Sequence, residues 1–219
     1  MAIPLRIDFV SDVACPWCVI GLRSLMKALD ELGDEVEAEI VFQPFELNPD
    51  MPPEGQNTFE HVQAKYGSTP EKSALSREAL RESGEALGFA FGYGPDSRIW
   101  NTFDAHRLLH WAHGEGRQHA LKEALFVANF TDGLSISDNE VLVRAAASAG
   151  LDARRARSVL VSGQFADEVR KDEATWRDRG IQAVPSIVFE ERWMIQGGQP
   201  SEMFVQAIRQ VIAQKAAAG

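Results

Sequence analysis

A Cys-Pro-Trp-Cys motif at residues 15–18 constrains this chain more than anything else in it, because it holds both of the cysteines in 219 residues. One pair cannot staple a disulfide scaffold, and it cannot supply four thiolates to a structural metal site. Two residues apart, the pair has one common use: a dithiol that cycles to a disulfide during turnover. Its setting narrows the fold. Leu5-Arg6-Ile7-Asp8-Phe9-Val10 reads as a first strand and Val19 to Leu32 as a helix, so the thiols fall where a strand ends and a helix starts.

The rest of the chain falls into three zones. Residues 1 to about 55 read strand, helix, strand, with the second strand inside Val36 to Phe45 and a proline-rich exit at Asn48-Pro49-Asp50-Met51-Pro52-Pro53. From about Thr58 to Arg179 the pattern is helix after helix. Thr69-Pro70-Glu71 opens one of them and Gly88 closes it. Asp96-Ser97 precedes another, which carries Trp100, Phe103, Leu108 and Trp111. Ser137 with Glu140 forms a capping box, and Gly150 ends the helix it opens. Asp152 to Gly163 and Gln164 to Gly180 give two more. The last zone returns to strands: Ser186–Phe189 and Trp193–Ile195, joined by Glu190-Glu191-Arg192, predict a hairpin, and Pro200-Ser201-Glu202 opens a final amphipathic helix.

This order, β-α-β, a helical block, then β-β-α, is that of a thioredoxin fold with a helical domain inserted between its halves. Residues 1–55 and 180–219 are expected to form the discontinuous thioredoxin-fold domain, and 56–179 the insertion. With the Cys-Pro-Trp-Cys after strand one, the chain resembles the DsbA-type thiol–disulfide oxidoreductases, in particular their cytoplasmic FrnE-like branch. Phe45-Glu46-Leu47-Asn48-Pro49, the stretch from Asn101 to Leu108, Ala183-Val184-Pro185-Ser186 and Gly197-Gly198-Gln199-Pro200 carry the resemblance further. It implies that the Val184–Pro185 bond is cis, that this loop faces the two cysteines, and that the freed backbone of Val184 pairs with an extended substrate.

Backbone N–H groups at a helix N-terminus favour negative charge, and a thiolate is the attacking species in disulfide exchange. Cys15, at the exposed start of the helix, is therefore the expected nucleophile. Cys18, one turn in and facing the core, is the expected resolving thiol. Pro16 lacks a donor and suits the first turn, and Trp17 is expected to stand partly exposed beside the disulfide. Glu46 and Asn48, after the second strand, are candidate cleft residues. Glu46 is an acid placed to shuttle a proton for Cys18, although a solvated turn with Asn48 capping a bend explains both residues as well. His106, His110 and His113 share one helix face at i, i+4 and i+7. They lack the glutamate of a zinc-protease pattern, so no metal is expected, and His106 is a candidate for the cleft or for packing between domains. Asp12 reads as a local turn or cap residue.

A net charge of −10 argues against nucleic acid or an anionic membrane as partner. The first strand begins too early to leave room for a signal peptide, and no stretch approaches the ~20 apolar residues of a membrane span. A cytoplasmic location is expected. The leading functional reading is a thiol–disulfide oxidoreductase acting on protein or small-molecule disulfides. It needs no cofactor beyond its own cysteines, with glutathione a candidate reductant or ligand, and works as a monomer or homodimer. Two alternatives stand beside it. Glutathione-dependent 2-hydroxychromene-2-carboxylate isomerases and kappa-class glutathione transferases share the layout but typically carry Ser where Cys15 stands. A non-catalytic, chaperone-like module would use the apolar surface around Trp17 and the Pro185 loop.

Overall fold

Strand β1 (Ile3–Ser11) is buried without interruption from Ile7 to Ser11, as the centre of a sheet covered on both faces requires. Strand β2 (Val36–Pro44) runs parallel to it, from Ile3 opposite Val36 to Ser11 opposite Pro44. Parallel neighbours need a crossover, and helix α1 (Pro16–Leu32) supplies it, with Leu22, Leu25 and Ala28 fully buried. The computed structural model describes residues 2–218, so positions 1 and 219 of the expected domain boundaries lie outside it.

Strands β3 (Gln56–Asn57) and β4 (Arg98–Ile99) form a separate antiparallel pair. Around them stand α2 (Thr58–Tyr66) and α3 (Pro70–Ala86). Then come α4 (Phe103–Gly114), α5 (Gln118–Phe126) with a π turn after it, α6 (Asn139–Ser148), α7 (Ala153–Ser162) and α8 (Ala166–Asp178). The chain closes with β5 (Ser186–Phe189), β6 (Trp193–Gln196) and α9 (Ser201–Ala218). The main sheet has the order β2-β1-β5-β6, with β5 antiparallel to both β1 and β6. The predicted hairpin turns on Glu190 and Glu191, both at positive φ, the backbone twist that short hairpins favour.

Three apolar cores follow. The largest joins one face of the sheet to α1 and α9, through Phe9, Leu22, Ile187, Phe204 and Ile208, and reaches Phe126 at the end of α5. A second lies among α4 to α7. The third, with Val10, Phe45, Trp176 and Val188, covers the other face of the sheet with α8. Arg107, buried on α4, donates to the carbonyls of Val159, Leu160 and Gln164 and so caps the C-terminal end of α7 from across the bundle.

Three local expectations need correction. The first helix begins at Pro16 rather than Val19, because the first-turn proline has no donor to leave unpaired. No helix starts at Asp96-Ser97; Arg98 instead donates to the Glu54 and Gly55 carbonyls and extends as β4. That helix starts at Phe103, whose N–H is met by the Asn101 side chain at 3.0 Å. Finally, α6 is capped by Asp138, which accepts from Glu140 and Val141 N–H at 2.7 and 3.1 Å. Ser137 turns away and donates to the Asn101 carbonyl at 2.9 Å.

Candidate active site

The turn from β1 into α1 is wound around Asp12. Its carbonyl accepts the Cys15 N–H at 3.2 Å, and its carboxylate accepts the N–H groups of Ala14 and Leu47 at 3.2 and 2.8 Å. The same carboxylate meets His106 Nε2 of α4 at 3.3 Å, with both side chains buried. Burial pushes the Asp12 carboxyl up, but the hydrogen bond and field of His106 and the two backbone donors outweigh it and hold the group below its ordinary value. Asp12 thus does more than shape a turn. It ties the dithiol loop to the strand-two exit and to the helical block.

Cys15 occupies the N-cap position of α1 in extended conformation, with Pro16 next. It is only 3% exposed, which corrects the expectation of an exposed start. Its thiol donates to the Val184 carbonyl at 3.5 Å, and the Val184–Pro185 peptide is cis. Pro185 is buried against the helix rather than in the open cleft. A Cβ on Gly21 would lie 3.0 Å from its Cγ, and a Cβ on Gly198 would lie 3.0 Å from the Trp17 carbonyl. Glycine at these two positions lets α1 and the proline loop close on each other. Cys18 is wholly buried. Burial, the hydrogen bond that its thiol donates to Cys15 and the Cys15 charge push this thiol well above the ordinary range, while Lys122 pulls it back.

Cys15, Pro16 and Trp17 open into a cleft of about 800 Å³. Trp17 is 40% exposed there. Tyr66, Tyr93 and Trp100 add aromatic walls, and Lys65 and Arg98 add positive charge. Val184, Glu46 and Asn48 also line it. Asn48 accepts from Lys65 Nζ at 2.6 Å, and its carbonyl closes a turn with Met51 N–H at 3.0 Å. Glu46 is buried, and its Oε1 has no hydrogen-bond partner among the described residues. Burial, reinforced by Glu173 and Asp12, pushes its carboxyl up to about 8. His106 is not a cleft residue: it stands behind the dithiol loop, facing a second, smaller cavity. No cluster of three or more His, Cys, Asp or Glu side chains among the described residues is arranged to hold a metal ion.

A cis proline backing a two-cysteine helix start, on a β-α-β and β-β-α sheet, defines a lineage, and the match of a family model over residues 6–209 decides which: the DSBA-like thioredoxin domain. The chain belongs to that family. It is similar to a probable DsbA oxidoreductase from Streptomyces coelicolor, with 37% identity and a TM-score of 0.90 over 95% of this chain and 90% of the other. An uncharacterized protein of Bacillus subtilis, YwbO, is 26% identical over 93% of this chain and 96% of its own length. A 2-hydroxychromene-2-carboxylate isomerase shares the fold at 15% identity, with a TM-score of 0.73 over 98% of this chain and 99% of the other. Among the described residues no helix is long and apolar enough to cross a membrane.

Lys122 was missed from sequence. It is a fully buried lysine whose ammonium has no hydrogen-bond partner among the described residues. The signal was available: α5 buries Gln118, Leu121, Lys122, Leu125 and Phe126, and Lys122 falls on that stripe. Gly21, placed on the inward face of α1, carried a fainter one.

Proposed function

We propose that this member of the DSBA-like family is a thiol–disulfide oxidoreductase in which Cys15 attacks and Cys18 resolves. The observation that carries the reading is the unequal placement of the two thiols. Cys15 lines the cleft and touches the Val184 carbonyl, whereas Cys18 lies sealed one turn behind it. In the reducing direction, the Cys15 thiolate attacks one sulfur of the substrate disulfide, that bond breaks, and the first substrate thiolate leaves. Cys18 then loses its proton and attacks Cys15 Sγ. The mixed disulfide breaks, the second substrate thiolate leaves, and two electrons have passed from the enzyme to the substrate. Oxidation runs the same steps backward.

The cleft suits the disulfide of a small molecule or of an extended peptide. Its aromatic walls favour an apolar body, and Lys65 and Arg98 favour acidic groups at its edge, as glutathione carries. No cofactor beyond the two cysteines is required. Turnover of glutathione disulfide and of a reducible protein disulfide, followed in the wild type and in Cys15→Ser, tests the reading. The variant should lose essentially all activity on both. A Cys15→Ser protein that keeps a glutathione-dependent isomerase activity would replace this proposal with the isomerase reading.

A further inference from the structure

The cleft in front of Cys15 runs against the charge of the molecule. The chain has 32 acidic side chains to 22 basic ones. Among the described residues that line the cleft the balance reverses: Lys65, Arg77, Arg98 and Arg177 stand against one acid, Glu46. That acid is buried, and with its carboxyl pushed up to about 8 it carries little charge at neutral pH to cancel them. The four cations come from α2, α3, β4 and α8, so the bias belongs to the cleft rather than to one basic segment.

Their partners leave this charge available. Lys65 donates to the Leu47 carbonyl at 2.8 Å and to the Asn48 side chain at 2.6 Å. Arg98 donates to the carbonyls of Glu54 and Gly55 at 3.1 and 2.9 Å. The Arg77 guanidinium lies over the Phe59 ring, 4.0 Å from its centroid. None of these three meets a carboxylate among the described residues, whereas Arg177 stands 3.8 Å from Glu173. A guanidinium laid on a ring keeps its N–H edge free, and that edge matches a carboxylate with two parallel hydrogen bonds. Lys65 over Tyr66 and Arg98 over Trp100, each at 5.6 Å, repeat the pairing of cation and ring along the wall.

Size narrows the occupant further. Cys15 is only 3% exposed, and the cleft that leads to it holds about 800 Å³, within the range of small-molecule sites. A small disulfide enters such a space whole, whereas one on a folded protein reaches Cys15 only if the walls part. We propose that the substrate is a small-molecule disulfide bearing carboxylates, selected by Arg77 and Arg98, which pair with those carboxylates while the rings hold its apolar body. The inference rests on the dithiol cycle proposed above and names its substrate class. The reduced enzyme gives two electrons and two protons, the substrate leaves as two thiols, and Cys15 and Cys18 end as a disulfide.

Single-turnover oxidation of the reduced protein tests this, with dithiodipropionate, neutral bis(2-hydroxyethyl) disulfide, dicationic cystamine and insulin as oxidants. Acid quenching and thiol labelling give each rate, which is divided by the rate of the same disulfide with dithiothreitol to remove its intrinsic reactivity. The normalised rate on dithiodipropionate should exceed those on the other three by about ten-fold or more at low ionic strength, and the lead over cystamine should shrink with added salt. Arg98 also ties β4 down, so Arg77 carries the variant test. Arg77→Gln should cut the ratio of dithiodipropionate to the neutral disulfide by at least about five-fold, and Arg77→Lys should restore part of it. Equal normalised rates on the dicarboxylate and the neutral disulfide, a faster rate on insulin, or a ratio that Arg77→Gln leaves unchanged would overturn the proposal. A reduced protein that none of the four oxidises would instead overturn the dithiol cycle itself, and this inference with it.

Discussion

At the scale of single residues, the site holds two unpaired ionisable groups of opposite sign, and each leaves a mark on stability. Burial pushes Glu46 up to about 8 from an ordinary 4.5. Between those values the folded protein keeps a proton that the unfolded chain has released, so stability falls as pH rises through this window, and the cost is complete above it. Glu46→Gln should therefore raise the urea midpoint at about pH 9 by the equivalent of about 1–2 kcal/mol and change little near pH 4. Lys122 gives the opposite slope. Burial pulls it down to about 8 from 10.5, so below about 8 the folded protein bears the full cost of a buried charge that the unfolded chain solvates. Lys122→Met should stabilise by about 1–2 kcal/mol at neutral pH, with the gain vanishing above about pH 10.5. Parallel urea titrations across this range check both signs. A Lys122→Met protein less stable than wild type at neutral pH would show that the ammonium has a partner. Neither residue announces its burial in sequence. Glu46 sits between Phe45 and Leu47 in a proline-rich exit that reads as solvated, and Lys122 has the polar His119 three positions before it and Glu123 directly after. Only the helical stripe that includes Leu121 and Leu125 hints otherwise.

At the scale of elements, function depends on how closely α1 approaches the proline loop. The contact is glycine on both sides: Gly21 faces the Pro185 ring, and Gly198 faces the Trp17 carbonyl and the Gly21 N–H. Backbone cannot move aside as a flexible side chain does. Gly198→Ala should destabilise by about 1–3 kcal/mol and slow turnover, by forcing the loop away from Cys15. Thermal melting and activity, measured together, check this, and a Gly198→Ala protein of wild-type stability and rate would contradict it. The elements were largely legible. Most strand and helix signals and the hairpin signal fell near their observed places, because apolar periodicity and turn residues act locally, but the β3–β4 pair was not foreseen. What escaped were competitions between neighbours. Asp138 took the cap assigned to Ser137 because it directly precedes the first helical residue. Arg98 drew its segment into β4 by reaching carbonyls more than forty positions away.

At the scale of the whole molecule, several polar ties among the described residues join the helical block to the elements beside the dithiol, Asn129 to the Val13 carbonyl among them. Asp12 and His106 link the active-site turn to α4, and Gln118 and Glu123 clamp α5 onto β2 and α1. The second, smaller cavity opens beside them, lined by His106 and Gln118. Element order, together with a Cys-x-x-Cys between strand and helix and a late Val-Pro before a strand, made the DSBA-like fold readable. The contacts that position the site were not readable, because they pair residues 35 to 100 positions apart with no spacing rule. The proposed division of labour between the thiols is the centre of this account. It is tested most directly by intact-mass measurement of Cys15→Ser and Cys18→Ser after brief exposure to a disulfide substrate. Cys18→Ser should accumulate one covalent mixed disulfide, held at Cys15 for want of a resolving thiol, while Cys15→Ser stays largely unmodified over the same time. Equal labelling of the two variants, or labelling confined to Cys15→Ser, would contradict it.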